Sequence, residues 1–150
     1  VYGRTHTRMI PEMSGLGRVM PWLTVSFFIA GLALLGLPGL AGFVAESHVF
    51  IGGFFGNTWH SLTAMRILTV LATMSIVVTA VYVLRGLGKV FMGPIENEHF
   101  LELTDATITE KISTGLLVAT LIFVGMAPWF LINLIEPAVM PIVNRLNGIL

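Results

Sequence analysis

From Trp22 to Phe55 the chain is almost unbroken apolar sequence. Glu46 is its one Asp, Glu, Lys or Arg. The run is about 34 residues, or about 50 Å as one helix, against a bilayer core of about 30 Å. It is too long for a simple span. Its middle reads Leu35-Gly36-Leu37-Pro38-Gly39-Leu40-Ala41-Gly42. Pro38 cannot donate a backbone N–H, and Gly39 and Gly42 tolerate positive φ. The pattern predicts a helix over 22–36, a break from Gly36 to Gly42, and a second helix over 43–55. Each piece is about 20 Å long, so together they cross a bilayer with overlap or tilt.

The same pattern repeats twice more. Ile67 to Leu84 carries no charge and is bracketed by Arg66 and Arg85, which predicts a span over 62–88. Gly56-Asn57-Thr58-Trp59-His60 reads as the surface turn before it, with Trp59 suited to the interface. Residues 112–135 are again uncharged and predict a third span, with Pro128 and Trp129 near its exit end. Thr107-Ile108-Thr109-Glu110 fits a capping box opening that helix.

The rest is connection. Residues 1–20 hold Arg4, Arg8 and Arg18 among Pro11, Gly15 and Gly17, a membrane-surface segment. Residues 92–110 hold Glu96, Glu98, Glu102, Asp105 and Glu110, a polar loop that is either solvated or docks a partner. Residues 136–150 read as a short tail along the far surface, with Pro137 and Pro141. Three spans put Arg4, Arg8, Arg18, Arg85, Lys89 and Lys111 on one side and only Arg66 and Arg145 on the other. The positive-inside rule then assigns 1–20 and 85–111 to the cytoplasmic side and the C-terminus to the outside.

Composition agrees with this reading. The 150 residues are 55% hydrophobic and 11% charged, with a mean hydropathy of +0.90. Soluble domains carry about 25% charged residues. The expected class is an all-α, multi-pass integral membrane protein. Eight basic and eight acidic residues balance, which gives no reason to expect a nucleic-acid partner. There is no cysteine, hence no disulfide, thiolate metal site or cysteine-ligated iron–sulfur cluster. No Gly-x-Gly-x-x-Gly or phosphate loop is present, so NADH, flavin, iron–sulfur and quinone sites are expected in other subunits. The chain begins at Val1 without a signal-peptide layout, which suggests a piece of a longer protein.

Glu46 is the first candidate for chemistry. Loss of water at membrane depth favours the neutral acid, while the N-terminal N–H groups of the second half-helix favour the carboxylate. In balance, such an acid can load and unload a proton. The competing reading is a Glu paired to a neighbouring Lys for assembly alone, with the break a kink that fits its neighbours. His48 follows two residues later, about 200° around the helix, so the two cannot share a face. It is either a second relay group or a hydrogen-bonded packing histidine. Lys89, one turn after Arg85, is either a topology anchor or a proton-entry group. His6, His60 and His99 fall in surface loops. Ser75 and Thr79 share a side with Ala72 and Tyr82 and read as a small polar packing face.

Arg4-Thr5-His6-Thr7-Arg8, the string Leu34-Leu35-Gly36-Leu37-Pro38-Gly39-Leu40-Ala41-Gly42-Phe43-Val44-Ala45-Glu46, and Tyr82 to Gly93 resemble the antiporter-like membrane subunits of respiratory complex I. The closest likeness is to the NuoM/NdhD (chain 4) type, over nearly the whole chain as the C-terminal third of a larger subunit. The resemblance implies part of an inverted-repeat, antiporter-like fold. It also implies proton translocation driven by quinone reduction in partner subunits, with Glu46 ending a relay along the membrane midplane. Related subunits, including Mrp antiporter chains, usually carry Lys at that position. Ser47 and His48 depart from the aromatic and aliphatic residues that often follow the acid. The upstream relay residues lie outside these 150, so this stretch alone is not expected to pump. Two alternatives remain open. One is an Mrp-type Na⁺/H⁺ antiporter subunit; the other is a structural or truncated subunit without transport of its own. The expected partners are other complex I membrane subunits, the bilayer, protons and water. The expected location is a bacterial plasma membrane, or a thylakoid or organelle inner membrane.

Overall fold

A computed structural model describes residues 1–55, 62–95 and 98–148. The turn expected at residues 56–60, with Trp59 and His60, and Glu96 in the polar loop lie outside the described residues. Six α-helices are described: α1 (Tyr2–Thr5), α2 (Pro21–Leu34), α3 (Ala41–Phe55), α4 (Leu62–Phe91), α5 (Ile108–Met126) and α6 (Pro128–Asn147). Short 3₁₀ turns cover Ile10–Glu12, Leu16–Arg18 and Glu98–Glu102. No strand occurs among the described residues. The class is an all-helical membrane protein. α4 from Ala64 to Phe91 and α5 are long and apolar enough to cross a bilayer, while α2 and α3 are shorter apolar helices.

Close contacts set the helix directions. Gly17 lies against the Phe91 carbonyl, Gly31 against Val83 and Leu87, and Gly53 against Thr69. Arg66 donates to the Phe54 carbonyl at 3.2 Å. So α2 and α3 follow one another end to end, and both run antiparallel to α4. On the other side, the Trp22 indole donates to Thr114 at 2.9 Å, and Gly125 lies against Gly39 and Leu40. So α5 runs parallel to α2 and ends beside the stretch that joins α2 to α3.

The last third of the chain differs from the sequence expectation. Residues 112–135 are not one helix: α5 stops at Met126, and Ala127 takes φ −123 and ψ 57. Pro128, whose fixed φ and missing N–H suit a first helical position, opens α6. Residues 136–147 are not a short separate tail but continue α6, which follows α5, lines a cleft with α3 and holds Pro137 and Pro141 inside it. Each proline removes one i→i−4 bond, but the surrounding turns hold the helix.

The core sits at one end of the bundle. Leu16, Met20 and Phe100 are fully buried, joined by Met13, Leu87 and Phe91. Residues 1–20 therefore do more than skirt the surface, and the polar 92–110 stretch supplies a core phenylalanine. Away from this end, large apolar side chains stand exposed: Val49 is 70% and Leu116 also 70% accessible. The 18-residue apolar windows of α4 and α5 bury none of their residues inside the chain. Such faces need lipid or neighbouring helices.

Polar clamps close the same end. Thr107 and Glu110 form the expected capping box, the Thr107 N–H donating to Glu110 at 2.7 Å. Arg4 pairs with Glu110 at 2.6 Å, tying the N-terminal segment to α5. Asp105 accepts from the Trp22 N–H at 3.3 Å and lies 3.6 Å from Lys111. It thus caps α2, whose own N-cap residue, Met20, has no side-chain acceptor suited to the role. Burial pushes the Asp105 carboxyl up. Hydrogen bonds from the Ala106, Trp22 and Leu23 backbone and the nearby Lys111 charge outweigh it and hold the group below its usual range.

Candidate functional site

The break begins with a hydrogen-bonded helix end. Gly36 sits at φ +66, its N–H donates to the Ala33 carbonyl at 3.2 Å, and the Leu37 N–H donates to Leu32 at 3.2 Å. This is a Schellman motif with glycine at its left-handed position. Pro38 has no N–H to offer the Leu34 carbonyl four residues back, so the helix cannot continue. Gly39 takes φ +93, and 3₁₀-type bonds from Leu40 to Leu37 and from Phe43 to Leu40 open α3.

The glycines divide the work differently from the expectation. Gly36 and Gly39 hold positive φ, whereas Gly42 is helical. Gly42 serves close approach instead: the Ala33 carbonyl occupies the space a Cβ would need. Gly125 of α5 plays the same part from the other side, with the Gly39 carbonyl and Leu40 backbone where its Cβ would project. Sequence reading passed over Gly125. Its only sequence signal is a glycine three residues before Pro128, in a stretch where the pattern marks Pro128 and Trp129 as the exit end of one span.

Glu46 lies in the second turn of α3 and is half-buried. Helical side chains lean toward the N-terminus. Its carboxylate accordingly reaches back over the break, where a Cβ on Gly36 would stand 2.5 Å from Oε2. The acid therefore sits near the positive end of α3 and beside the freed backbone of α2. Counting from the Gly53–Thr69 contact at 1.5 Å per residue, Glu46 is about level with Ile76 of α4. That is close to the middle of the charge-free Ile67–Leu84 stretch.

The other candidates are apart. The His48 ring nitrogen Nδ1 lies 2.7 Å from the Val44 carbonyl. A carbonyl only accepts, so Nδ1 carries the hydrogen and Nε2 is left for another partner. His48 faces the cleft between α3 and α6. Lys89 is exposed, in the last turn of α4 beside the buried core, and about 20 Å along the axis from the level of Glu46. The Ser75 and Thr79 hydroxyls bond back to the carbonyls of Ala72 and Ser75 on their own helix. The site is thus one acid in a glycine-walled break, with His48 turned to a different neighbour.

Comparison with known proteins bears on this arrangement. A family model described as "NADH:quinone oxidoreductase/Mrp antiporter, TM" matches residues 1–73, which include the break and Glu46. NAD(P)H-quinone oxidoreductase chain 4 1 of Thermosynechococcus vestitus is 35% identical over 99% of this chain and 28% of its own length. The protein of the same name in Trichormus variabilis is 34% identical over 97% of this chain and 28% of its own. The chloroplastic chain 4 of Mesostigma viride is 34% identical over 97% and 29%. The chain thus spans under a third of the length of these curated relatives. With residues 1–73 matched by the family model and almost the whole chain by chain 4 relatives, this chain belongs to the antiporter-like membrane-subunit family of NAD(P)H-quinone oxidoreductases, of the chain 4 (NuoM/NdhD) type.

Proposed function

We propose that the chain is part of a proton-translocating membrane subunit of an NAD(P)H-quinone oxidoreductase. Quinone reduction in partner subunits drives proton transfer through it. NADH, flavin, iron–sulfur and quinone sites belong to those partners, and this chain contributes a proton path and no redox centre. The observation that carries the reading is the Glu46 carboxylate over the Gly36 break. An ionisable group at membrane depth beside unwound backbone is costly unless it works. The half-helix N–H groups stabilise its charged form, the apolar surroundings its neutral form, and freed carbonyls hold water for proton hand-over. Glu46 is the relay acid in this reading. Leu37, Pro38, Gly39 and Gly42 belong to the break that shapes its surroundings, and Lys89 is an anchor at the cytoplasmic end. The membrane is bacterial or thylakoid, a reading supported by cyanobacterial and chloroplast relatives.

The test uses the complete complex in sealed vesicles. Glu46→Gln keeps part of the quinone reductase rate but lowers proton uptake by about tenfold or more, as expected for loss of a proton-transferring group. Undiminished pumping by an assembled Glu46→Gln complex rejects the assignment.

A second reading rests on the family description, which names Mrp antiporters as well. It makes the chain part of a Na⁺/H⁺ antiporter driven by ion gradients. Transport that persists without NADH or quinone selects it. If Glu46→Gln changes assembly alone, the subunit is structural.

A further inference from the structure

We propose that His48 and Glu136 form a second proton-binding pair, in the cleft between α3 and α6, on the side of the broken helix turned away from Glu46. This rests on the proton-carrying reading of the break but assigns residues that reading does not use. Both side chains line one cleft of about 430 Å³, whose other walls are apolar residues such as Val44, Leu131 and Ile135. His48 commits Nδ1–H to the Val44 carbonyl, so Nε2 is free to accept or, once protonated, to donate.

Depth supports the pairing. From the Gly53–Thr69 contact, His48 is about level with Met74 of α4, well inside the charge-free stretch. Glu136 lines the same apolar-walled cleft from α6, with no direct hydrogen bond or ion pair to His48. An isolated carboxylate there is expensive, and intramembrane acids pair with a partner. The groups that could compete lie elsewhere. Glu46 points to the Gly36 break. Arg66 of α4 is held at the Phe54 carbonyl, Glu110 and Lys111 stand at the far end of α5, and α2 carries no titratable residue. Arg145 lies nine residues further along α6.

One proton shared by the two gives a neutral pair in either form: imidazolium with carboxylate, or imidazole with carboxylic acid. Transfer breaks the Glu136 O–H bond and makes an Nε2–H bond on His48, with no change in electron count. The cleft has room for bridging water, each molecule needing about 30 Å³ and two or more polar partners, which these side chains supply. Lying on the α3 half, past the break, the pair would carry protons between Glu46 and the outward surface.

The experiment again uses the complete complex in sealed vesicles, with His48→Gln, Glu136→Gln, their double variant, and Glu46→Gln as a separate reference. Each single variant is expected to lower the protons taken up per quinone reduced by about threefold or more, and the double to match the worse single, as for groups acting as a unit. Normal pumping by either assembled single variant, or losses that multiply in the double, overturns the pair. Normal pumping by Glu46→Gln would instead reject the role of Glu46 and leave the pair to be read from its own variants. If Glu136→Gln fails to assemble, infrared difference spectra between acid and alkaline pH decide the matter. In the assembled His48→Gln complex the Glu136 carboxyl band, identified by its shift in Glu136→Asp, moves if the two share a proton. A band unmoved by His48→Gln overturns the proposal.

Discussion

The Glu46 carboxylate rests on Gly36, ten residues earlier, at the one place where a side chain on the break would collide with it. The contact joins the backbone device that ends α2 to the acid that α3 carries. Gly36→Ala therefore acts twice. A non-glycine residue at φ +66 costs about 1–2 kcal/mol, and its methyl displaces the carboxylate. The expected outcome is an assembled complex with lower thermal stability and impaired proton uptake. Thermal melting and vesicle acidification measure the two. Wild-type uptake would show that the carboxylate position over Gly36 is not needed.

Gly125 makes a second prediction, from α5. Any Cβ there meets the Gly39 and Leu40 backbone, which is less able to yield than a side chain. Gly125→Ala is expected to cost about 1–3 kcal/mol as overpacking and to impair proton uptake, with Gly125→Val worse. Ala119→Val, on the same helix, is the comparison. If Gly125→Ala assembles and pumps normally, the contact carries no functional weight.

Lys89 gives the opposite expectation. It lies about 20 Å along the axis from the level of Glu46, too far to touch the acid. Lys89→Gln should leave proton uptake and the quinone reductase rate nearly unchanged, with any effect falling on topology or assembly. A collapse of pumping in a correctly assembled Lys89→Gln complex would restore it as an entry group.

Asp105 provides a pH prediction. Its folded carboxyl titrates below its ordinary 3.8 because backbone donors and Lys111 outweigh burial. The unfolded chain then takes up the proton first as pH falls. The stabilisation is fully present above 3.8 and is lost as pH drops through the lower folded value. Asp105→Asn is thus expected to destabilise the complex at neutral pH and to narrow its gap to wild type only in strong acid. Melting curves across that range test this. A gap that stays constant into strong acid would remove the charge from the account.

The helical class was legible because apolar runs of membrane length, Arg66 and Arg85 at the ends of one, and the Thr107–Glu110 box are local signals. The break around Pro38 was legible for the same reason, since Pro38 lacks a donor and glycine tolerates positive φ, although the expected pair was Gly39 and Gly42 where the structure uses Gly36 and Gly39. Overlap of the expected break at 36–42 with the non-helical residues 35–40 follows from that chemistry. The role of Gly42 was misjudged, because close approach and positive φ favour the same residue.

What the sequence determined by itself was thus the kind of element and the presence of an acid beside an interruption. Which atoms meet was a tertiary decision. Gly125 enters the break only because α5 runs parallel to α2, and Glu136 comes to line the same cleft as His48 only because the chain turns at Ala127 and continues as α6. Residues nearly 90 positions apart share no periodicity or motif. Their meeting depends on helix direction and packing, which a one-dimensional pattern does not encode.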